Sequence, residues 1–212
     1  MSYQRSYEIP EEKMAKDPLY YEMGSSVLKN KLGITDSQKA AEEETIGFIK
    51  AQVIFTEKLS KKTKFDSAYI QAIHRSALNH LYPFAGIYRN VNLSKAGHHF
   101  LPFNFIHRGM NYLEQEFLLK LPVDYDEDPK KLIEDIAIVH CELIHIHPFR
   151  EGNGRTARIF ADLMSNRAGY PSLDLNKFRK DNYPKYIDAL NKGDDKDYSG
   201  MIEIIGNLFP AF

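Results

Sequence analysis

The sequence predicts a mostly α-helical single domain carrying one short β-hairpin, and three observations support it. Apolar residues recur three and four positions apart through most of the chain, which is helical spacing. Only residues 87–103 break that rhythm: Tyr88, Val91, Leu93 and Phe100 favour extended chain around the turn-forming Lys95-Ala96-Gly97. The 212 residues, 43% hydrophobic, suit one substantial core, and no linker, repeat or low-complexity tract divides them.

Residues 1–34 are polar, punctuated by proline, and aromatic at Tyr3, Tyr7, Tyr20 and Tyr21; they read as an N-terminal arm, with residues 35–212 as the domain. Thr35-Asp36-Ser37-Gln38 has capping-box spacing and starts a long helix, since Ile46, Ile49, Val53 and Ile54 then recur near the helical period. A second helix runs from about Asp66 through Leu78, with Ile70, Ile73 and Ala77 as its buried stripe. After the hairpin, helices are expected at roughly 105–120, 129–145 and 154–168, and Leu132, Ile136, Val139 and Leu143 mark the core face of the middle one. Asn182 to Asn191 and Tyr198 to Leu208 supply two more.

The richest chemistry lies in His147-Pro148-Phe149-Arg150-Glu151-Gly152-Asn153-Gly154-Arg155-Thr156-Ala157-Arg158. Gly152 and Gly154 bracket Asn153, so the backbone can aim successive N–H groups at one anion. Apolar spacing resumes at Ile159, Phe160, Leu163 and Met164, so the turn opens into a helix whose N-terminal dipole adds to that anion site. Arg155 and Arg158, three apart, share a helix face and suit a polyphosphate. Glu151 offers a hard oxygen to the Mg²⁺ that accompanies such a phosphate, or is simply a helix-start carboxylate favoured by the dipole. His147 stands where it can take a proton from an attacking group, although a histidine at a helix end is more often structural.

These twelve residues match the Fic domain signature HxFx[DE]GNGRxxR at every defined position, and the chain resembles that family over about residues 27–209. Val27 to Ile34, Ile73-His74-Arg75 and Tyr82-Pro83-Phe84-Ala85-Gly86 are similar to the family's pattern upstream of its active site. The resemblance implies a helical Fic fold with a hairpin flap, and a protein adenylyltransferase that moves AMP from ATP to a hydroxyl side chain of a target protein. It implies His147 as general base, Glu151 as Mg²⁺ ligand, Gly152, Asn153 and Gly154 as the anion turn, Arg155 on the β-phosphate region and Arg158 on the γ-phosphate. Phe149 is expected to pack and fix the turn. Flap residues Ser94, Lys95, Ala96 and Gly97 resemble those that border ATP, and Tyr183 with Asn191 those that line its adenosine end. The target is expected to dock on the flap, residues 87–103, by strand addition.

Other readings stand beside these. Lys95 is equally a solvated edge lysine and Tyr183 equally a core residue. A kinase-like relative transferring another phosphate-containing group replaces the glycine of the anion turn by lysine, and Gly154 argues against it; a non-catalytic binding module has no need of the base. His140-Cys141-Glu142-Leu143-Ile144-His145 superficially resembles a zincin, but its histidines are five apart and its glutamate is displaced. Many family members carry an inhibitory helix of pattern [ST]xxxE[GN]. The nearest spacing here, Ser199 to Glu203, is followed by Ile204 and reads as a core helix, so inhibition is expected from a separate small protein or an unrecognised device.

A formal net charge of −1 and a pI near 6.7 argue against a chain that coats nucleic acid or anionic membrane. The single cysteine, Cys141, suits a reducing cytoplasm. The N-terminal residues lack a secretory pattern, and no apolar run approaches the roughly 20 residues of a membrane span.

Overall fold

The computed structural model describes residues 27–95, 98–125 and 129–209. The arm's tyrosines and the flap residues Ala96 and Gly97 lie outside them. The described end of the arm packs inward: Val27 and Leu28 are buried, and the Lys31 N–H donates to the Leu81 carbonyl at 2.8 Å.

Helix α1 spans Ser37–Glu57. Its cap is Asp36 rather than Thr35: the carboxylate accepts from the Lys39 N–H at 2.8 Å. The Ile46, Ile49, Val53, Ile54 stripe is not the face it buries, for Ile46, Ile49 and Val53 are 43%, 58% and 51% exposed. The buried face is Ala40, Glu44, Gly47, Phe48 and Ala51. Close approach decides this: α2 (Ser67–Leu78) passes so near that a Cβ on Gly47 would stand 1.9 Å from the Ala77 carbonyl oxygen. Only the small-residue side of α1 fits there, and the β-branched side is turned out. In α2 the expected Ile70, Ile73 and Ala77 are fully buried, and Asp66 caps the helix through the Tyr69 N–H.

The hairpin forms, but its strands are short: β1 (Ser94–Lys95) pairs antiparallel with β2 (His98–His99), Ser94 opposite His99 and Lys95 opposite His98. Helix α3 (Ile106–Glu116) lies between 3₁₀ turns at Phe103–Phe105 and Leu118–Lys120. Then come α4 (Pro129–Ile146), α5 (Asn153–Arg167), α6 (Leu175–Asp181), α7 (Tyr183–Asp194) and α8 (Ser199–Gly206). Helix α6 was invisible to apolar periodicity because its seven residues bury only Leu175.

Helix α4 is the central post, packed against α3, α5, α7 and α8, while α5 also meets α1 and α2. Leu132, Ile136, Val139 and Leu143 are buried as expected. Helix α8 closes the core with Met201, Ile204 and Ile205 and turns Glu203 outward, where it pairs with Lys185 at 2.7 Å. Among the described residues no helix is long and apolar enough to cross a membrane.

Candidate active site

Helix α4 stops at Ile146, and His147 turns the chain sharply with φ at +49°, a backbone region that side chains other than glycine seldom occupy. The turn is held from outside. Buried Arg89 donates through Nε to the His147 carbonyl at 2.7 Å, and its other nitrogens reach the carbonyls of Val91, Leu101 and Ile146. One guanidinium thus fastens both sides of the flap's base to the end of α4. The His147 Nδ1 lies 3.1 Å from the Ile144 carbonyl, to which it can only donate, so hydrogen bonding assigns the proton to Nδ1 and the lone pair to Nε2. Phe100 stacks flat on the ring at 3.6 Å. Burial, with the charges of Arg89, Lys95 and His98 behind it, pushes the imidazole pKa down to about 3 against the pull of the Ile144 carbonyl. At neutral pH His147 is an uncharged acceptor.

The anion turn follows. Gly152 has φ at +78°, and a Cβ there would also meet the Phe48 ring at 2.8 Å, so glycine is required twice over. Helix α5 makes its first i to i−4 bond from the Thr156 N–H to the Gly152 carbonyl. The N–H groups of Asn153, Gly154 and Arg155 precede that ladder and stand at the positive end of the helix. The Asn153 side chain clasps Phe149, accepting from its N–H and donating to its carbonyl, both at 2.7 Å. Asn153 therefore shapes the turn with its side chain and leaves its backbone N–H for an anion. His74 explains the upstream pattern: it accepts from the Gly86 N–H, donates to the Glu151 carbonyl at 2.8 Å and stacks on Phe149 at 3.9 Å. These roles require neutral His74, and burial holds its pKa near 4.

Glu151 is buried, and its Oε1 accepts from the Gly152 N–H and from Arg155. Its Oε2 has no hydrogen-bond partner among the described residues. One hard oxygen suits Mg²⁺, which draws its remaining ligands from phosphates and water. Arg155 also pairs with fully buried Glu44, which accepts the Tyr82 hydroxyl proton, and lies over the Phe48 ring. Arg158 is buried, donates through Nε to Asn176 Oδ1 at 2.6 Å and has the Tyr186 hydroxyl beside it; Tyr186 in turn bonds His140 Nε2 at 2.7 Å. Burial holds the Arg158 pKa below its usual value.

A cavity of about 200 Å³ joins His147, Gly154 and Arg158 to Lys95 of the flap and to Tyr183 and Asn191 of α7. Glu151, Gly152 and Arg155 instead face α1, on the other side of the α5 N-terminus. Ser94 stands in β1 outside the cavity wall. His140 and His145 diverge, the first to Tyr186 and the second to Asp194 at 2.6 Å. Sequence reasoning missed Arg89, Glu44, Tyr186 and Arg179. Tyr186 follows Tyr183 by one turn on the same face, which was the one available signal; the others lie in stretches with no local pattern.

A model of the Fic/DOC family matches residues 64–165, which include α2, the hairpin and the whole anion turn. The chain carries a Fic/DOC domain. It is 30% identical over 187 residues to a protein adenylyltransferase Fic from Culex quinquefasciatus, covering 84% of this chain and 35% of that protein. The chain thus spans about a third of the length of the curated relatives it matches. Among solved structures it is similar to BepC from Bartonella tribocorum, a VirB-translocated effector with bound AMPPNP (25% identity, TM-score 0.75, covering 92% of this chain and 96% of that one). It is also similar to the N-terminal Fic domain of a Bartonella quintana Bep effector with bound ADP (25%, TM-score 0.73, 90% and 93%). The Fic signature of this chain is thus one continuous object: a buried histidine at the end of α4, a glycine turn, and two arginines held from opposite sides of α5.

Proposed function

We propose that this Fic domain transfers AMP from ATP to a serine, threonine or tyrosine hydroxyl of a target protein and releases pyrophosphate. The observation that carries the reading is His147, fixed as the Nδ1–H tautomer within one cavity wall with the N-terminus of α5. Its Nε2 takes the proton of the target hydroxyl as that oxygen bonds to the α-phosphorus, and the bond from this phosphorus to the bridging oxygen breaks, sending the electron pair out on pyrophosphate. The N–H groups at the start of α5 stabilise the phosphate charge. A Mg²⁺ on Glu151 supplies further neutralisation when bound. Arg155 and Arg158 orient the outer phosphates.

Ser94, Lys95, Ala96 and Gly97 border the nucleotide in this reading, with Tyr183 and Asn191 at the adenosine end. Lys95, Tyr183 and Asn191 share the cavity with His147, which supports it, as do the nucleotides bound to the Bartonella neighbours. The target segment adds as a strand to the flap, residues 87–103. Inhibition comes from a separate small protein or an unrecognised device rather than from α8; the outward position of Glu203, paired with Lys185, supports this. The reaction belongs in a reducing cytoplasm, where buried Cys141 stays a thiol.

Incubation with α-labelled and γ-labelled ATP tests the reading. Label reaching protein from the α-position alone is expected and is abolished in His147→Ala; label from the γ-position alone, or none, would overturn it.

A further inference from the structure

The charge around the anion turn is unevenly distributed. Arg155 shares its charge with two carboxylates, Glu44 and Glu151, so on that side of α5 it offers a polyphosphate less than a full positive charge. Arg158 has no carboxylate hydrogen-bonded to it among the described residues: Asp162, one turn further on, directs its oxygens to Gln52 and the Leu173 N–H. Yet the Arg158 Nε is engaged by Asn176, so only part of its donor fork can turn to a ligand. A terminal phosphate with about two charges is poorly served by that remainder alone.

The helix that holds Arg158 brings a second guanidinium. On α6, Asn176 and Arg179 are three residues apart and share a face. Arg179 is half-buried and lines the same cavity as His147, Gly154 and Arg158. The two guanidiniums are close enough for Arg179 to disfavour the protonated form of Arg158, which is how a site awaiting an anion behaves.

Resting on the nucleotide reading above, we propose that Arg179 is a third phosphate-binding arginine, which grips the outer phosphates of the nucleotide with Arg158 and holds the departing pyrophosphate. Helix α6 then has two tasks, since Asn176 orients Arg158 while Arg179 completes the grip. The planar fork matters as well as the charge, so lysine at 179 should restore only part of the affinity.

Calorimetric titration of the full chain with Mg-ATP and with AMP tests this. Arg179→Ala is expected to weaken Mg-ATP binding about tenfold or more while leaving AMP affinity within about twofold, with Arg179→Lys between wild type and alanine for Mg-ATP. Unchanged Mg-ATP affinity in Arg179→Ala overturns the proposal, and so does an equal loss for both ligands, which would mark a purely structural residue. A wild-type chain that binds neither ligand would overturn the nucleotide reading itself, and this proposal with it.

Discussion

Phe100 lies flat on His147, ring centroids 3.6 Å apart and planes 13° from parallel, so the segment that follows β2 forms one wall of the imidazole's slot. The tautomer is set by the Ile144 carbonyl, but the ring plane is set by this stack. Phe100→Ala should leave the proton on Nδ1 and let the imidazole swing. We expect kcat for AMP transfer to fall about 10- to 100-fold with the KM for ATP changed less than about threefold. Steady-state kinetics of self-modification or target modification check this; a raised KM with unchanged kcat would mean that Phe100 serves the nucleotide instead.

Asn153 shows a motif residue whose side chain works on the protein. Replacing it by alanine removes both partners from the buried Phe149 N–H and carbonyl. The cost should be about 2–5 kcal/mol in urea unfolding, with activity lost as the turn relaxes. Asn153→Asp keeps an acceptor for the N–H but repels the carbonyl, so it should fall between wild type and alanine.

Most of the architecture was legible in the sequence, because α2, α4, α5 and α8 each bury a long apolar stripe at the helical period. In α1 the same rule misled: Ile46, Ile49 and Val53 are periodic yet exposed, since Gly47 lets α2 approach along the small-residue side and packing distance overrode hydrophobicity. At the site, the turn at Gly152 and the start of α5 were readable because both are set by one short stretch of chain. Arg89, Glu44 and Arg179 were not, since each acts on a residue far away in the chain and nothing in its neighbours marks it.

Three buried histidines make stability depend on pH. His74, His140 and His147 are kept neutral by burial, with pKa values near 4, 3 and 3 against an ordinary 6.5. The unfolded chain takes up these protons as pH falls through 6.5, whereas the fold refuses them until pH 4 to 3. Stability is therefore whole above about pH 6.5 and drops across that window, by about 2 kcal/mol per histidine at pH 5. Asp162 works the other way: burial raises its pKa to about 7, so acid favours the fold at that one position. Urea midpoints at pH 7 and pH 5 should show the net loss, and His140→Gln, which keeps an acceptor for Tyr186, should reduce the difference by about half, since the Asp162 gain offsets roughly one histidine's loss. A midpoint that does not move between the two pH values would contradict the assigned neutral states.

Two glutamates offer a contrast that separates structure from regulation. Glu44 is fully buried with Arg155 and Tyr82 as partners, so Glu44→Ala leaves a guanidinium and a hydroxyl without their acceptor and should cost about 3–5 kcal/mol. Glu44→Gln, which retains an acceptor, should cost less. Glu203 is 60% exposed and holds only a surface pair with Lys185, so Glu203→Gly should cost about 1 kcal/mol, mostly from placing glycine within α8. Because Glu203 stands on the outer face of a core helix, its loss should leave the rate of self-modification unchanged. A large increase in self-modification would instead make α8 an inhibitory element, and its glutamate would have to reach Arg158 in some other arrangement of the chain.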